Sequence, residues 1–180
     1  MVRCRAGTAV RHADGTVSAG VTPGDGNRFD RGAASGGMLY DAADDPASLS
    51  PAELREAYEA QIRTVVDSVG VETAAADAGV DEGRVAAVAD GAAPDMRVED
   101  AAALLALSED YPDQEAIVLE LRDHLLMGMT TGVLDVDTIA SNVDLDLSGQ
   151  EIQQALEGRI PMTLEQLAAI HGYIAERNDR

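Results

Sequence analysis

The chain has no tryptophan, no lysine, a single phenylalanine and a single cysteine among its 180 residues. Each scarcity rules something out. With Cys4 alone, neither an intramolecular disulfide nor a multi-cysteine zinc site can form. With Phe29 near the N-terminus and aromatics at 3% of the chain, a core must be assembled from Ala, Val, Leu, Ile, Met and a few Tyr. Small side chains bury less area each, at roughly 25 cal/mol per Å², so the expectation is a thin core that relies on helix propensity and helix packing. No apolar run approaches the ~20 residues needed to cross a bilayer. The first residues hold Arg, Gly, Asp and Thr rather than the apolar stretch of a secretory leader. A cytoplasmic protein that makes no membrane contact is expected.

What is present instead is acid. Thirty-three Asp and Glu face 13 basic residues, all of them Arg, for a net charge of −20. This profile resembles that of proteins from salt-loving archaea that keep molar salt in their cytoplasm. At ~1 M salt the Debye length is about 3 Å, which screens self-repulsion that would strain such a fold in dilute buffer.

Residues 1–37 differ from the rest: they hold eight of the 17 Gly and five of the Arg against three acids, Asp14, Asp25 and Asp30. One reading is a basic arm that tracks DNA phosphates. The other is an upstream reading-frame extension with Met38 as the true start, which the abrupt composition change at Met38 favours. Residues 1–45 are therefore expected to be a disordered N-terminal segment with no essential role.

Beyond it the pattern is helical. Ser50-Pro-Ala-Glu53 is a capping box with proline at the first helical position, and Leu54, Tyr58, Ile62, Val65, Val66 and Val69 then share one face until Gly70. Short helices are expected at 72–78, 81–89 and 98–107. Tyr111-Pro112-Asp113 opens a second long helix striped by Ile117, Leu121, Leu125 and Met129. Short helices follow again at 137–143, 148–156 and 163–176. Val133 to Val136 is too short for a strand. The expected fold is all-α.

The pattern after each long helix is the same. In the first copy Ala74, Ala75 and Ala78 keep a helix slim, Gly79-Val80 makes a turn and its apolar plug, Asp81 caps the next helix, Val85 and Val88 face inward and Gly91 stops it. In the second, Thr138 is the expected cap, Ile139 and Val143 face inward, Leu147 is the plug and Ser148 the next cap. Ile152, Ala155 and Leu156 point inward there and Gly158 is the stop. Pro94 and Pro161 stand at the same distance from the two glycines. These residues resemble the lambda-repressor-like class of helix-turn-helix domains over roughly 50–177. The second copy departs from that class in a longer turn, Val143 to Ser148, that lacks the turn glycine. The stretch from Met38 to Arg180 also resembles an uncharacterised haloarchaeal protein family that carries no assigned function. The resemblance implies two tandem helix-turn-helix-like units, 46–110 and 111–180.

A helix-turn-helix ancestry makes double-stranded DNA the first partner to consider. The second helix of the first copy would present Asp81, Glu82, Arg84, Ala87 and Asp90, a poor surface for phosphates. The second copy offers Gln150, Gln153, Gln154 and Arg159, since glutamine pairs with adenine and arginine with guanine or phosphate. Glu151 and Glu157 on that helix oppose this. The expected nucleic-acid-binding residues are thus Gln150, Gln153, Gln154 and Arg159, with Arg84 auxiliary, in a non-enzymatic transcription-regulatory protein of a halophile. The alternative is an interaction or dimerisation module that has lost DNA binding and uses the 112–130 helix. A small-molecule sensor is a third, weaker reading.

Catalytic and metal chemistry is sparse. Asp144, Asp146, Ser148 and Gly149 imitate the start of a calcium loop, but its twelfth position is Ala155 rather than Glu. His124 and His171 have no second ligand at metal spacing and read as satisfied interface histidines. Gly128 to Gly132 has no lysine and follows no strand, so it is not a phosphate loop. No nucleophile–base–acid set stands out; no enzyme activity, cofactor or metal is expected.

Overall fold

Six of the eight α-helices among the described residues begin where a side-chain oxygen accepts from one of the first free N–H groups. A computed structural model describes residues 37–93 and 95–180, in which eight α-helices follow two short 3₁₀ turns at Leu39–Ala42 and Pro46–Ser48. The first of these turns falls inside the segment expected to be disordered, and its Leu39 is fully buried. The first four helices are α1 (Pro51–Val69), α2 (Val71–Ala78), α3 (Glu82–Ala89) and α4 (Val98–Leu105). The second four are α5 (Gln114–Thr131), α6 (Val136–Asn142), α7 (Gly149–Leu156) and α8 (Leu164–Asn178). The expected Ser50/Glu53 capping box opens α1, and Asp81, Asp113, Ser148 and Thr163 cap α3, α5, α7 and α8. The cap of α6 is Asp135, whose carboxylate accepts the Thr138 N–H at 2.7 Å. Thr138, the expected cap, lies inside the helix, because Asp one turn earlier is the stronger acceptor. The all-α class holds throughout the described residues; of the segment 1–45 expected to be disordered, residues 1–36 lie outside them, whereas residues 37–45 are placed and carry the first 3₁₀ turn.

The two sets of four bury matching positions. In α1, Tyr58, Glu59, Ile62 and Val66 are buried; in step with them along α5 are Ile117, Val118, Leu121 and Leu125. In α4 the buried run is Val98, then Ala101 to Leu105; in α8 it is Leu164, then Leu167 to His171. Val85 and Val88 of α3 match Ile152 and Ala155 of α7. Full burial of a Leu, Ile or Val contributes roughly 1.5–3 kcal/mol, so one apolar template, used twice, accounts for most of the core. After α3 and α7 the chain turns through Gly91 and Gly158, at φ 72 and φ 73, a left-handed backbone that only glycine takes without strain. An arginine from the long helix lies over each: Arg63 over Gly91 and Arg122 over Gly158.

The two sets meet across a two-fold relation. The Val98 N–H donates to the Met162 carbonyl at 2.8 Å, and the Leu164 N–H donates to the Met96 carbonyl at 2.8 Å, forming one isolated antiparallel bridge between Arg97 and Thr163. Reciprocity of this kind is the mark of an isologous interface. Helix contacts obey it as well, because α1 packs on α8 and α5 packs on α4. The boundary expected near residue 110 falls between α4 and α5, and helices from both sides of it share a single core.

The second helix pair closes differently from the first. Its longer turn has no glycine, yet α6 and α7 pack as α2 and α3 do. Gly149, the first residue of α7, is buried against Asp137 of α6, where any side chain would collide with the carboxylate. Gly79 in the first turn has open space around it and serves the left-handed backbone instead, at φ 67.

Candidate functional site

Of the residues expected to read DNA, the three glutamines lie on α7, Arg159 follows the stop at Gly158, and Arg84 lies on α3. Gln150, Gln153 and Arg159 are exposed and Gln154 is half-buried. Two of these side chains, Gln153 and Arg159, do not stand free to meet bases. Gln153 donates from Nε2 to Glu157 Oε1 at 2.9 Å, and Arg159 Nε lies 3.0 Å from Glu157 Oε2. One carboxylate thus holds both. The side chains of Gln150 and Gln154 carry no hydrogen-bond partner among the described residues. Arg84 on α3 donates to Asp100 of α4 at 2.9 Å. The same pairing recurs elsewhere: Arg55 with Glu59, Arg122 with Glu99 and Arg180 with Glu176. In a chain this acidic, arginines find carboxylates of their own before any phosphate.

The structure assembles a different group that the sequence reading had left as two separate histidines. Tyr58 of α1 and His171 of α8 are buried, and His124 of α5 reaches the surface beside them. Tyr58 Oη and His171 Nδ1 are 2.7 Å apart, and His171 Nε2 and His124 Nε2 are 3.3 Å apart. Tyr40, from the first 3₁₀ turn, stacks on the His124 ring with centroids 4.2 Å apart and planes 6° from parallel. His171 meets His124 edge-on, at 90°.

Proton positions follow from the inventory of donors. The buried Tyr58 hydroxyl has His171 Nδ1 as its partner among the described residues, so it donates there and avoids an unsatisfied O–H. A neutral imidazole that accepts at Nδ1 carries its proton on Nε2, so His171 donates to His124 Nε2. His124 then holds its proton on Nδ1. The chain of donors runs outward from Tyr58 through His171 to His124 and ends in one N–H. Burial and the neighbouring His124 push the His171 pKa down to about 4. Burial also lowers that of His124, against an opposing pull from Asp41, and raises the Tyr58 hydroxyl. All three groups are therefore neutral near pH 7, as this polarity requires.

Beside the two histidines lies a cleft of about 340 Å³, lined also by Pro46, Met127, Gly128, Ile174 and Asn178. Gly128 makes it possible for α5 and α8 to meet there, because a Cβ on it would stand 2.7 Å from Ile174 Cγ2. Asn178 donates from Nδ2 to the Gly128 carbonyl at 3.0 Å and ties the end of α8 to α5. Among the described residues no three of the residue types His, Cys, Asp and Glu gather to hold a metal ion.

Sequence spacing could not reveal this group, since Tyr58, His124 and His171 come from three helices joined by the two-fold relation. A signal did exist once the copies are laid over each other. The positions matching Tyr58, His171 and His124 are Ile117, Leu105 and Val65, all buried and apolar. The fold closes with hydrocarbon at one end and with a hydrogen-bonded trio at the other.

The chain belongs to a family of unknown function (DUF5791), whose model matches residues 54–177. That span runs from α1 into α8 and so includes both sets of four helices. No curated protein and no solved structure matches the chain.

Proposed function

We propose that this protein is a non-enzymatic, duplicated helix-turn-helix-like module that works in high salt by pairing with a second copy of itself through the outer face of α5. The observation that carries this reading is where exposed hydrocarbon lies. The large exposed apolar side chains among the described residues are Leu119 (58%), Leu126 (42%), Met127 (70%) and Val133 (91%). Leu119, Leu126 and Met127 are spaced to share one side of a helix, and Val133 follows directly after it. In α1 the matching positions are Ala60, Asp67 and Ser68, so the scaffold does not need hydrocarbon there. Val133 adds a second oddity, with φ at 51. A β-branched residue in the left-handed region costs about 1–2 kcal/mol, and glycine would serve the turn better. Strained, exposed hydrocarbon of this kind is typical of contact surfaces.

A helix face that pairs with itself across a two-fold axis needs only self-complementarity, and the chain already joins its two halves that way. Two copies of charge −20 repel in dilute buffer, whereas molar salt screens the repulsion and strengthens apolar contact. Light scattering from 0.2 to 3 M KCl tests this: the mass should double as salt rises, and Leu126→Glu with Met127→Glu should hold it at one chain. A monomer at every salt concentration and protein concentration would sink the reading.

A second reading keeps DNA as the partner, through Gln150, Gln153, Gln154 and Arg159 with Arg84 auxiliary. The exposed Gln150 and the shared template of α3 and α7 support it. Binding of this sort needs Glu157 to release Gln153 and Arg159, and it weakens as salt rises, opposite to the dimer. Fluorescence anisotropy with genomic fragments in molar KCl should then show binding that Gln153→Ala plus Arg159→Ala abolishes; unchanged binding in that variant would reject those residues.

A further inference from the structure

We infer that the cleft between α5 and α8 is a binding site for a small, uncharged, mostly apolar molecule that offers a carbonyl-type acceptor to the His124 imidazole. This inference does not rest on dimerisation. Three observations on the page point to it independently.

The first is the hydrogen-bond chain. Tyr58 donates to His171 and His171 to His124, which leaves the His124 Nδ1–H as its one open end. No acceptor among the described residues meets it. A ligand that completes this chain brings an acceptor, and the polarisation of linked hydrogen bonds strengthens the last one. Metal binding at the two facing Nε2 atoms would need both lone pairs, and so would reverse the chain and strand the Tyr58 proton. The second is the lining. Besides the histidines it consists of Pro46, Met127, Gly128, Ile174 and the amide of Asn178 among others, with no carboxylate and no arginine. Nothing there would compensate a charged ligand. A cleft of about 340 Å³ with apolar walls and a few converging polar groups is what small-molecule sites look like.

The third is the comparison inside the molecule. Val65, Leu105 and Ile117 show that hydrocarbon fills the matching trio of places. A polar chain placed where packing asks for none costs stability unless it is satisfied, and such departures from the template mark functional positions.

The test uses the full chain in 3 M KCl and follows the His124 and His171 ring signals by NMR during titration with acetophenone. Ethylbenzene lacks the carbonyl, and benzoate carries charge. Expected is a saturable shift with acetophenone, with affinity about tenfold lower for ethylbenzene and for acetophenone with the surface variant His124→Gln. Thr131→Phe, at the lip of the cleft, should abolish the shift while the helical circular dichroism stays unchanged. No saturable shift with acetophenone, equal affinity for ethylbenzene, or tighter binding of benzoate would each overturn the inference. So would a stoichiometric shift with Zn²⁺ or Ni²⁺ in place of acetophenone, which would make the pair a metal site.

Discussion

The two halves of this protein bury largely the same positions and differ in what they put there. Around α1 and α8 the matching places hold Glu59, Tyr58 and His171; around α5 and α4 they hold Val118, Ile117 and Leu105. On the outer side the difference runs the other way, with Ala60, Asp67 and Ser68 on α1 against Leu119, Leu126 and Met127 on α5. Positions where the halves agree describe the scaffold: the glycine stops, the capped starts of α1 and α5 and of α3 and α7, and the alanine-rich runs of α4 and α8. Positions where they disagree lie at the cleft, at one buried ion pair and on one exposed helix face. The match between the halves thus supplies an internal control, since each shows what the other could have been.

The largest effect should come from the ion pair. Glu59 is wholly buried, lies 3.2 Å from Arg55 Nε, and neither of its carboxylate oxygens has a hydrogen-bond partner. Removing one member of such a pair strands the other, at about 3 kcal/mol. Gln114 and Val118 occupy the matching places in α5. Arg55→Gln should therefore destabilise by about 3 kcal/mol, while Arg55→Gln with Glu59→Val should return to wild-type stability or exceed it. Urea unfolding in 3 M KCl measures both. A double variant no better than the single would show that α1 and α5 are not interchangeable here.

Next in size is a dependence on pH that belongs to one half only. His171 is held at about 4 in the fold against an ordinary value of 6.5. Between those values the unfolded chain binds a proton that the folded chain refuses, so stability must fall as pH drops from 6.5 toward 4. The full span corresponds to about 3 kcal/mol. The groups around His171 are Tyr58 and His124, and Asp41 acts on His124 from the first 3₁₀ turn. Leu105 binds no proton. Tyr58→Phe with His171→Leu should accordingly flatten the stability profile between pH 7 and pH 4. The same slope in that variant would move the origin to the carboxylates.

These differences explain what the sequence could and could not disclose. Helices α1 and α5 were legible because a cap and an i, i+4 stripe are local signals, as Ser50 with Glu53 and Ile117 with Leu121 illustrate. Gly91 and Gly158 were legible as stops for the same reason. The expected range 137–143 of α6 began one residue late, and its cap was placed one turn late because Asp135 and Thr138 are both competent caps, of which Asp135 is the stronger acceptor. The Tyr58–His171–His124 chain was not legible. Its members meet through the Arg97–Thr163 bridge and the packing of α1 on α8, contacts that no local spacing encodes. Nor did spacing show that Glu157 would take both Gln153 and Arg159, since rotamers decide that.

The smallest effect concerns the bridge itself, where the halves touch at matching residues. Thr163 caps α8: its hydroxyl accepts the Gln166 N–H at 3.2 Å, and its own N–H donates to Gln166 Oε1 at 3.0 Å. Arg97 begins α4 with no side-chain cap. The bridge uses only the backbone of Met96, Val98, Met162 and Leu164, so Arg97→Thr should leave it intact and add a cap worth about 0.5–1 kcal/mol. Thr163→Ala should cost a similar amount. Paired thermal melts at constant KCl give both numbers. Equal and opposite shifts would mean that Arg97 is merely a poor cap which the second half has improved. If Arg97→Thr instead lowered stability, the arginine side chain would be contributing at the two-fold junction, and the halves would differ in function at the very point where their backbones are most alike.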